Sequence, residues 1–158
     1  GYLVARKGHH RAIAALALMP DVTLAIAGGG PDENKLRKLA TDLGVQNRVK
    51  FLGVLSQKEL CRYYGACDAL VLASSREGWA NVLLESMACG TPVAAFPVAG
   101  PIDVIGRSGG GIMHDDLREA CLQALKLPRE AVRRRAEEFS WATATGQMLE
   151  ALQRIPRH

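Results

Sequence analysis

Asp68-Ala69-Leu70-Val71-Leu72-Ala73-Ser74-Ser75-Arg76-Glu77-Gly78-Trp79-Ala80-Asn81-Val82-Leu83-Leu84-Glu85-Ser86-Met87-Ala88-Cys89-Gly90-Thr91-Pro92-Val93 holds three kinds of local pattern in 26 residues. Residues 68–73 are nearly all apolar, as in a strand buried on both faces. A polar loop follows, and then a stretch with apolar residues at helical spacing over about 80–89. Gly90-Thr91-Pro92 turns the chain into a second apolar run, 93–96. Strand, helix and strand without polar alternation predict a parallel sheet with helices on both faces.

The same alternation extends outward. Upstream, 22–27 reads as a strand ending in Gly28-Gly29-Gly30-Pro31, and 32–43 as a helix stopped by Gly44. Residues 48–52 form the next expected strand, ended by Gly53. Ser56 and Glu59 have the spacing of a capping box and open a helix carrying Leu60, Tyr63 and Tyr64 on one face. Gly1-Tyr2-Leu3-Val4 reads as a buried strand with Tyr2 inside, and His9-His10 as the start of a helix. Downstream come a short strand over 111–113 and helices over 116–127 and 130–139, with Asp115 or Asp116 as a cap. Ser140 caps a last helix, 141–154. The expectation is α/β: a Rossmann-like doubly wound sheet of about six parallel strands, one domain over 1–158, with residues expected upstream of Gly1.

Composition narrows the functional classes. Of the 158 residues 48% are hydrophobic and 23% charged, the balance of a globular domain. No apolar run reaches bilayer length, and no basic-then-apolar start resembles a signal peptide. Cys61, Cys67, Cys89 and Cys121 include no C-x-x-C pair, so buried reduced thiols in a cytoplasmic protein are expected. The net charge of +4 is modest, and Arg133-Arg134-Arg135 is followed at once by Glu137 and Glu138. That is the pattern of a solvated helix face. With only 5% aromatic residues to stack on bases, no nucleic-acid partner is expected. Weak association with the anionic inner face of a membrane is compatible with the charge.

A doubly wound sheet receives ligands outside the carboxyl ends of its strands. Those ends here hold Arg6-Lys7-Gly8, Gly28-Gly29-Gly30, Gly53-Val54, residues 74–81 and residues 97–103. Seven residues separate Glu77, in the strand-to-helix loop, from Glu85, ~8 Å along the axis into the helix. Between them lies a helix N-terminus, whose unpaired N–H groups and dipole attract phosphate. A phosphate flanked by two carboxylates suits a nucleotide sugar, one carboxylate accepting from ribose hydroxyls and the other from sugar hydroxyls. The plainer reading makes both glutamates ordinary helix-start charges. The apolar neighbours Val82, Leu83, Leu84, Met87 and Ala88 weigh against it for Glu85, because a carboxylate beside such a stripe needs a partner.

Glu77 to Glu85, continuing through Met87-Ala88-Cys89-Gly90-Thr91-Pro92-Val93, resembles the E-x7-E signature of glycosyltransferase family four, retaining nucleotide-sugar-dependent enzymes of the GT-B fold. Residues 1–8, 24–31, 49–53 and 68–75 are similar to other segments of that family, in the same order. The resemblance implies the C-terminal, donor-binding half of a GT-B hexosyltransferase, with an N-terminal acceptor domain outside this chain. It implies that Lys7 pairs with the donor diphosphate, Glu77 contacts sugar hydroxyls and Glu85 holds the ribose. Backbone groups of Gly78, Trp79, Ala80, Asn81 and Val82 would line sugar and phosphates, and Gly53 and Val54 would border the base. Lys7 and Glu77 are the catalytic candidates. No metal or cofactor is expected: the chain has no D-x-D, and Gly28-Gly29-Gly30 lacks the G-x-G-x-x-G spacing of a dinucleotide site. His9-His10, with no cysteine or acidic residue close by in sequence, is set aside as a metal site. Two departures stand out. Tyr2 occupies a position where the family often has arginine, leaving open whether Arg6 replaces that charge. Gly100-Pro101-Ile102-Asp103 stands where a glycine and then proline-glutamate are common. The alternatives are half of a GT-B nucleotide-sugar epimerase and a non-catalytic nucleotide-binding module. As a fragment the chain is expected to transfer no sugar.

Overall fold

The structure, a computed structural model, describes residues 1–78, 80–106 and 109–139; Trp79, Ser140 and the helix expected over 141–154 lie outside them. Helices and strands alternate: α1 (His9–Ala17), β1 (Leu24–Ala27), α2 (Glu33–Asp42), β2 (Val49–Gly53), α3 (Gln57–Ala66), β3 (Leu70–Leu72), α4 (Asn81–Ala88), β4 (Val93–Ala95), α5 (Ala99–Ile105), β5 (Gly111–Met113), α6 (Leu117–Ala124) and α7 (Arg129–Glu137). Every ladder is parallel. β1 pairs with β2, and β4 lies between β3 and β5. The chain is thus α/β and Rossmann-like, as expected.

The local signals act where their chemistry says they should. Ser56 and Glu59 form the reciprocal capping box of α3. After α2, Gly44 turns left-handed at φ 69° and the Val45 N–H reaches back to the Ala40 carbonyl at 2.8 Å, a Schellman stop. Asp116, rather than Asp115, caps α6, accepting from the Arg118 N–H at 2.8 Å. Alternate residues of β4 feed opposite layers. Ala94 packs under α1 and α6 with Met19, Ala73, Ala120 and Cys121. Val93 and Ala95 face Leu83, Met87, Val104 and Val132 on the other side. A third cluster joins Leu3, Ile13 and Leu16 to Ile26, Leu36 and Val49. Burying each large aliphatic side chain contributes roughly 1.5–3 kcal/mol.

Several expectations are corrected. Among the described residues there are five strands in two sheets, not six in one. Residues 1–4 form no strand. Their amine donates to the Ala27 carbonyl at 2.5 Å and the Leu3 N–H to Gly29 at 2.9 Å, after which the chain tightens into a 3-10 turn at Ala5–Lys7. Leu3 takes the buried place in that extended segment, so its neighbour Tyr2 is not inside but 62% exposed. Helices cover β4 on both faces, but Ala25 and Lys50, opposite each other in register, are exposed. Within the strand-end segment 97–103, Gly100-Pro101-Ile102-Asp103 is not a loop but part of α5. Of the cysteines only Cys121 is buried, and burial, then the charge of Asp116, pushes its thiol up to about 11. Cys61 on α3 is exposed, its sulfur 3.8 Å from that of Cys89, and Cys67 and Cys89 are half-buried at helix ends. Arg133 and Arg134 are solvated, whereas Arg135 folds inward over the Phe139 ring, 4.8 Å from its centroid. No helix among the described residues is long and apolar enough to cross a membrane.

Candidate functional site

The first site element is the 3-10 turn and its exit. Gly8, left-handed at φ 70°, lies so close to β3 that a Cβ would meet the Ala73 carbonyl oxygen at 1.9 Å. This approach, with the Ser75 N–H donating to the Arg6 carbonyl at 3.2 Å, holds the turn against the loop after β3. Lys7 and Glu77, 70 residues apart in sequence, thereby meet: Lys7 Nζ donates to Glu77 Oε1 at 2.6 Å. Ser74, 1% exposed, donates to the same oxygen at 2.7 Å. Burial alone would raise the Glu77 carboxyl. The bonds from Lys7 and Ser74 and the charges of Lys7 and Arg6 outweigh it and hold the group below the usual carboxylate range. Arg6 therefore adds positive potential at this carboxylate, although its side chain is exposed.

The second element is α4, whose N-cap Ala80 supplies no side-chain cap, and whose first residues Asn81 and Val82 are exposed. Gly78 is exposed too, and behind it the Gly100 N–H donates to the Glu77 carbonyl at 3.3 Å. Glu85 lies in the middle of the helix, and its Oε2 accepts from the Tyr64 hydroxyl at 3.0 Å. The partner that the apolar stripe demanded is thus a buried tyrosine on α3. The third element is an open depression of about 350 Å3 at the ends of β1 and β2, within the size range of ligand clefts. Tyr2, Gly28, Gly29, Val54, Leu55 and Leu60 line it; Val54 is 84% exposed, and Gly53, which closes β2, precedes it. Lys7, Glu77 and Glu85 lie outside this depression. The sequence reading named neither Ser74 nor Tyr64 as a site residue. Ser74 had a detectable signal, three residues before Glu77 at a strand end. The pairing of Tyr64 with Glu85, 21 positions away, had none.

No group of three or more His, Cys, Asp or Glu able to hold a metal occurs among the described residues. His9 Nδ1 is buried without a hydrogen-bond partner. Burial first, then the charges of the terminal amine, Lys7 and His10, lower its pKa to about 4.

A parallel α/β fold that gathers a cation, a carboxylate and an uncapped helix start at the carboxyl ends of its strands has the architecture of a Rossmann-like unit. The chain belongs to the glycosyl transferases of group 1, whose sequence profile matches residues 1–138. The lipopolysaccharide core biosynthesis glycosyltransferase LpsE of Rhizobium meliloti (strain 1021) is 43% identical over 115 residues, 73% of this chain and 33% of that protein. The D-inositol 3-phosphate glycosyltransferase of Mycolicibacterium gilvum (strain PYR-GCK) is 35% identical over 152 residues, 87% of this chain and 34% of that protein. Among solved structures, Anabaena Alr3699/HepE in complex with UDP superimposes with a TM-score of 0.79 at 26% identity, covering 98% of this chain and 47% of that one. The solved neighbours have the GT-B fold, whose Rossmann-like architecture this chain matches. The chain spans about a third of the length of these curated relatives.

Proposed function

We propose that this chain is the donor-binding domain of a retaining family-four hexosyltransferase, moving a sugar from a nucleotide diphosphate sugar to a growing glycan or lipid-linked saccharide. The observation that carries the reading is the Lys7–Glu77–Ser74 cluster beside the uncapped start of α4. In this reading Lys7 and the α4 N-terminus stabilise the departing diphosphate, an electrostatic term that needs no metal. Glu77 accepts from sugar hydroxyls and Glu85 from the ribose. The backbone of residues 78–82 follows sugar and phosphates, and the base lies in the depression bordered by Gly53 and Val54. Arg6 supplies the second positive charge that Tyr2 does not. Neighbours solved with UDP, and with UDP and glucose, support transfer over the epimerase and the non-catalytic module. An N-terminal domain outside the chain brings the acceptor, and the whole protein works in the cytoplasm, weakly held at the inner membrane face.

Calorimetry with UDP-, GDP- and ADP-sugars in EDTA tests the reading. At least one should bind, and silence from all three at millimolar ligand by folded protein overturns it. The chain alone should bind a donor yet transfer no sugar, because the acceptor has to be held against the donor for proximity to act. Turnover near the rate of the full-length protein would refute that division of work.

A further inference from the structure

Glu85 is a flexible side chain on a half-buried helix face, and its carboxylate is not left to find its own direction. The Tyr64 hydroxyl donates to Oε2 at 3.0 Å, and Oε1 has no hydrogen-bond partner among the described residues. Tyr64 is itself held at both ends. Its ring is 9% exposed, and its backbone carbonyl accepts from the fully buried Thr91 hydroxyl. Arg129 then fastens the end of α3 to the turn before β4. It donates to the Gly65 and Cys67 carbonyls at 3.0 Å each and to Thr91 Oγ1 at 2.8 Å. Burial, and then the Glu85 charge, push the phenol upward, so it stays protonated and remains a donor. One turn earlier on the same helix, Leu60 lines the depression at the ends of β1 and β2. A single face of α3 thus carries both Leu60, which borders the apolar depression, and Tyr64, which holds the Glu85 carboxylate.

We infer that Tyr64 is a positioning residue for ribose recognition: by occupying Oε2 it fixes the Glu85 carboxylate so that Oε1 is presented to the ribose hydroxyls of a nucleoside diphosphate. The inference rests on the donor-binding reading above. Hydroxyl recognition by a preset carboxylate discriminates against a ligand lacking the hydroxyl, because the half-buried acceptor is then unmatched.

The test titrates the chain with UDP, GDP and ADP and with their 2′-deoxy counterparts. Wild type should prefer the ribonucleotide it binds, and Tyr64→Phe should weaken that ribonucleotide about tenfold, mid-range for coupling between bonded neighbours. The deoxy form should change by less than about twofold, so the preference collapses. In a Glu85→Ala background, Tyr64→Phe should add less than about twofold. Tyr64→Met, which also deletes the hydroxyl, is the second variant, with circular dichroism confirming the fold of each. A merely structural tyrosine would weaken both nucleotides equally, and that result overturns the inference. Loss of the preference in Glu85→Ala but not in Tyr64→Phe removes the role of Tyr64 alone. Retention of the preference in Glu85→Ala, which has no side-chain acceptor, removes the assignment of Glu85 to ribose, and the inference with it.

Discussion

Gly8→Ala separates two costs that a left-handed glycine usually hides together. At φ 70° any L-residue incurs about 1–2 kcal/mol of steric strain. At Gly8 the new methyl would also stand 1.9 Å from the Ala73 carbonyl oxygen and 2.7 Å from its carbon. Both are backbone atoms, so no rotamer relieves the overlap, and the turn and the end of β3 have to part by more than an ångström. Overpacking of that kind adds about 1–3 kcal/mol, for a total of roughly 2–5 kcal/mol. Gly44→Ala is the internal control: φ is 69°, yet nothing lies within 4 Å of the added carbon. It should cost only the strain, about 1–2 kcal/mol. Urea unfolding followed by circular dichroism gives both numbers. The parting also draws Lys7 from Glu77, so Gly8→Ala, unlike Gly44→Ala, should weaken donor binding in calorimetry. Equal destabilisation by the two substitutions, or unchanged donor affinity in a folded Gly8→Ala protein, would refute the close approach as the device that assembles the cluster.

Three further outcomes are expected. Glu85→Ala should weaken binding of bare nucleoside diphosphate by about 1.5–3 kcal/mol, whereas Glu77→Ala should spare it and weaken only the sugar-bearing donor; equal calorimetric losses on the bare nucleotide would contradict this. Ser74→Ala should destabilise the protein at pH 7 by about 1.5 kcal/mol in urea, through the lost bond to a charged oxygen. Because the Glu77 carboxyl is depressed in the folded state, that difference should be present above pH 4.5 and shrink as pH falls below it; a gap persisting unchanged at pH 3 would count against the assignment. His9, at about 4 when folded and 6.5 when free, binds more protons unfolded, so stability should fall between pH 6.5 and pH 4. With its partial exposure discounted, about 1–2 kcal/mol is at stake, and an equally steep decline in His9→Gln would show that another group is responsible.

What the sequence disclosed depended on the range of each interaction. The capping box at Ser56, the stop at Gly44 and the apolar strands at 70–72 and 93–95 are decided within a few residues, and they could be read directly. Tyr2 could not. Its exposure follows from Leu3 taking the inward place and from a turn that begins only three residues further on. α5 escaped notice because Gly100 and Pro101 look like loop residues, though both fit a first helical turn. Lys7, Glu77 and Glu85 were recognisable as chemical types at strand and helix ends. Ser74, three residues before Glu77, was within reach of a local reading, whereas Tyr64 as the partner of Glu85, 21 positions away, belongs to a tertiary contact that no local pattern encodes.

The bond between Lys7 and Glu77 also makes this cluster electrically quiet. A lone inorganic anion approaching Lys7 has to compete with a carboxylate already seated 2.6 Å away and reinforced by Ser74. Taking the cation leaves Glu77 short of a donor in a place where its side chain is only 12% exposed, which is costly. A ligand that offers negative oxygens at one end and hydroxyl donors at the other satisfies both groups in one movement. On the donor-binding reading proposed above, the pair would therefore favour a phosphorylated sugar over orthophosphate or sulfate, a selection made before any chemistry begins.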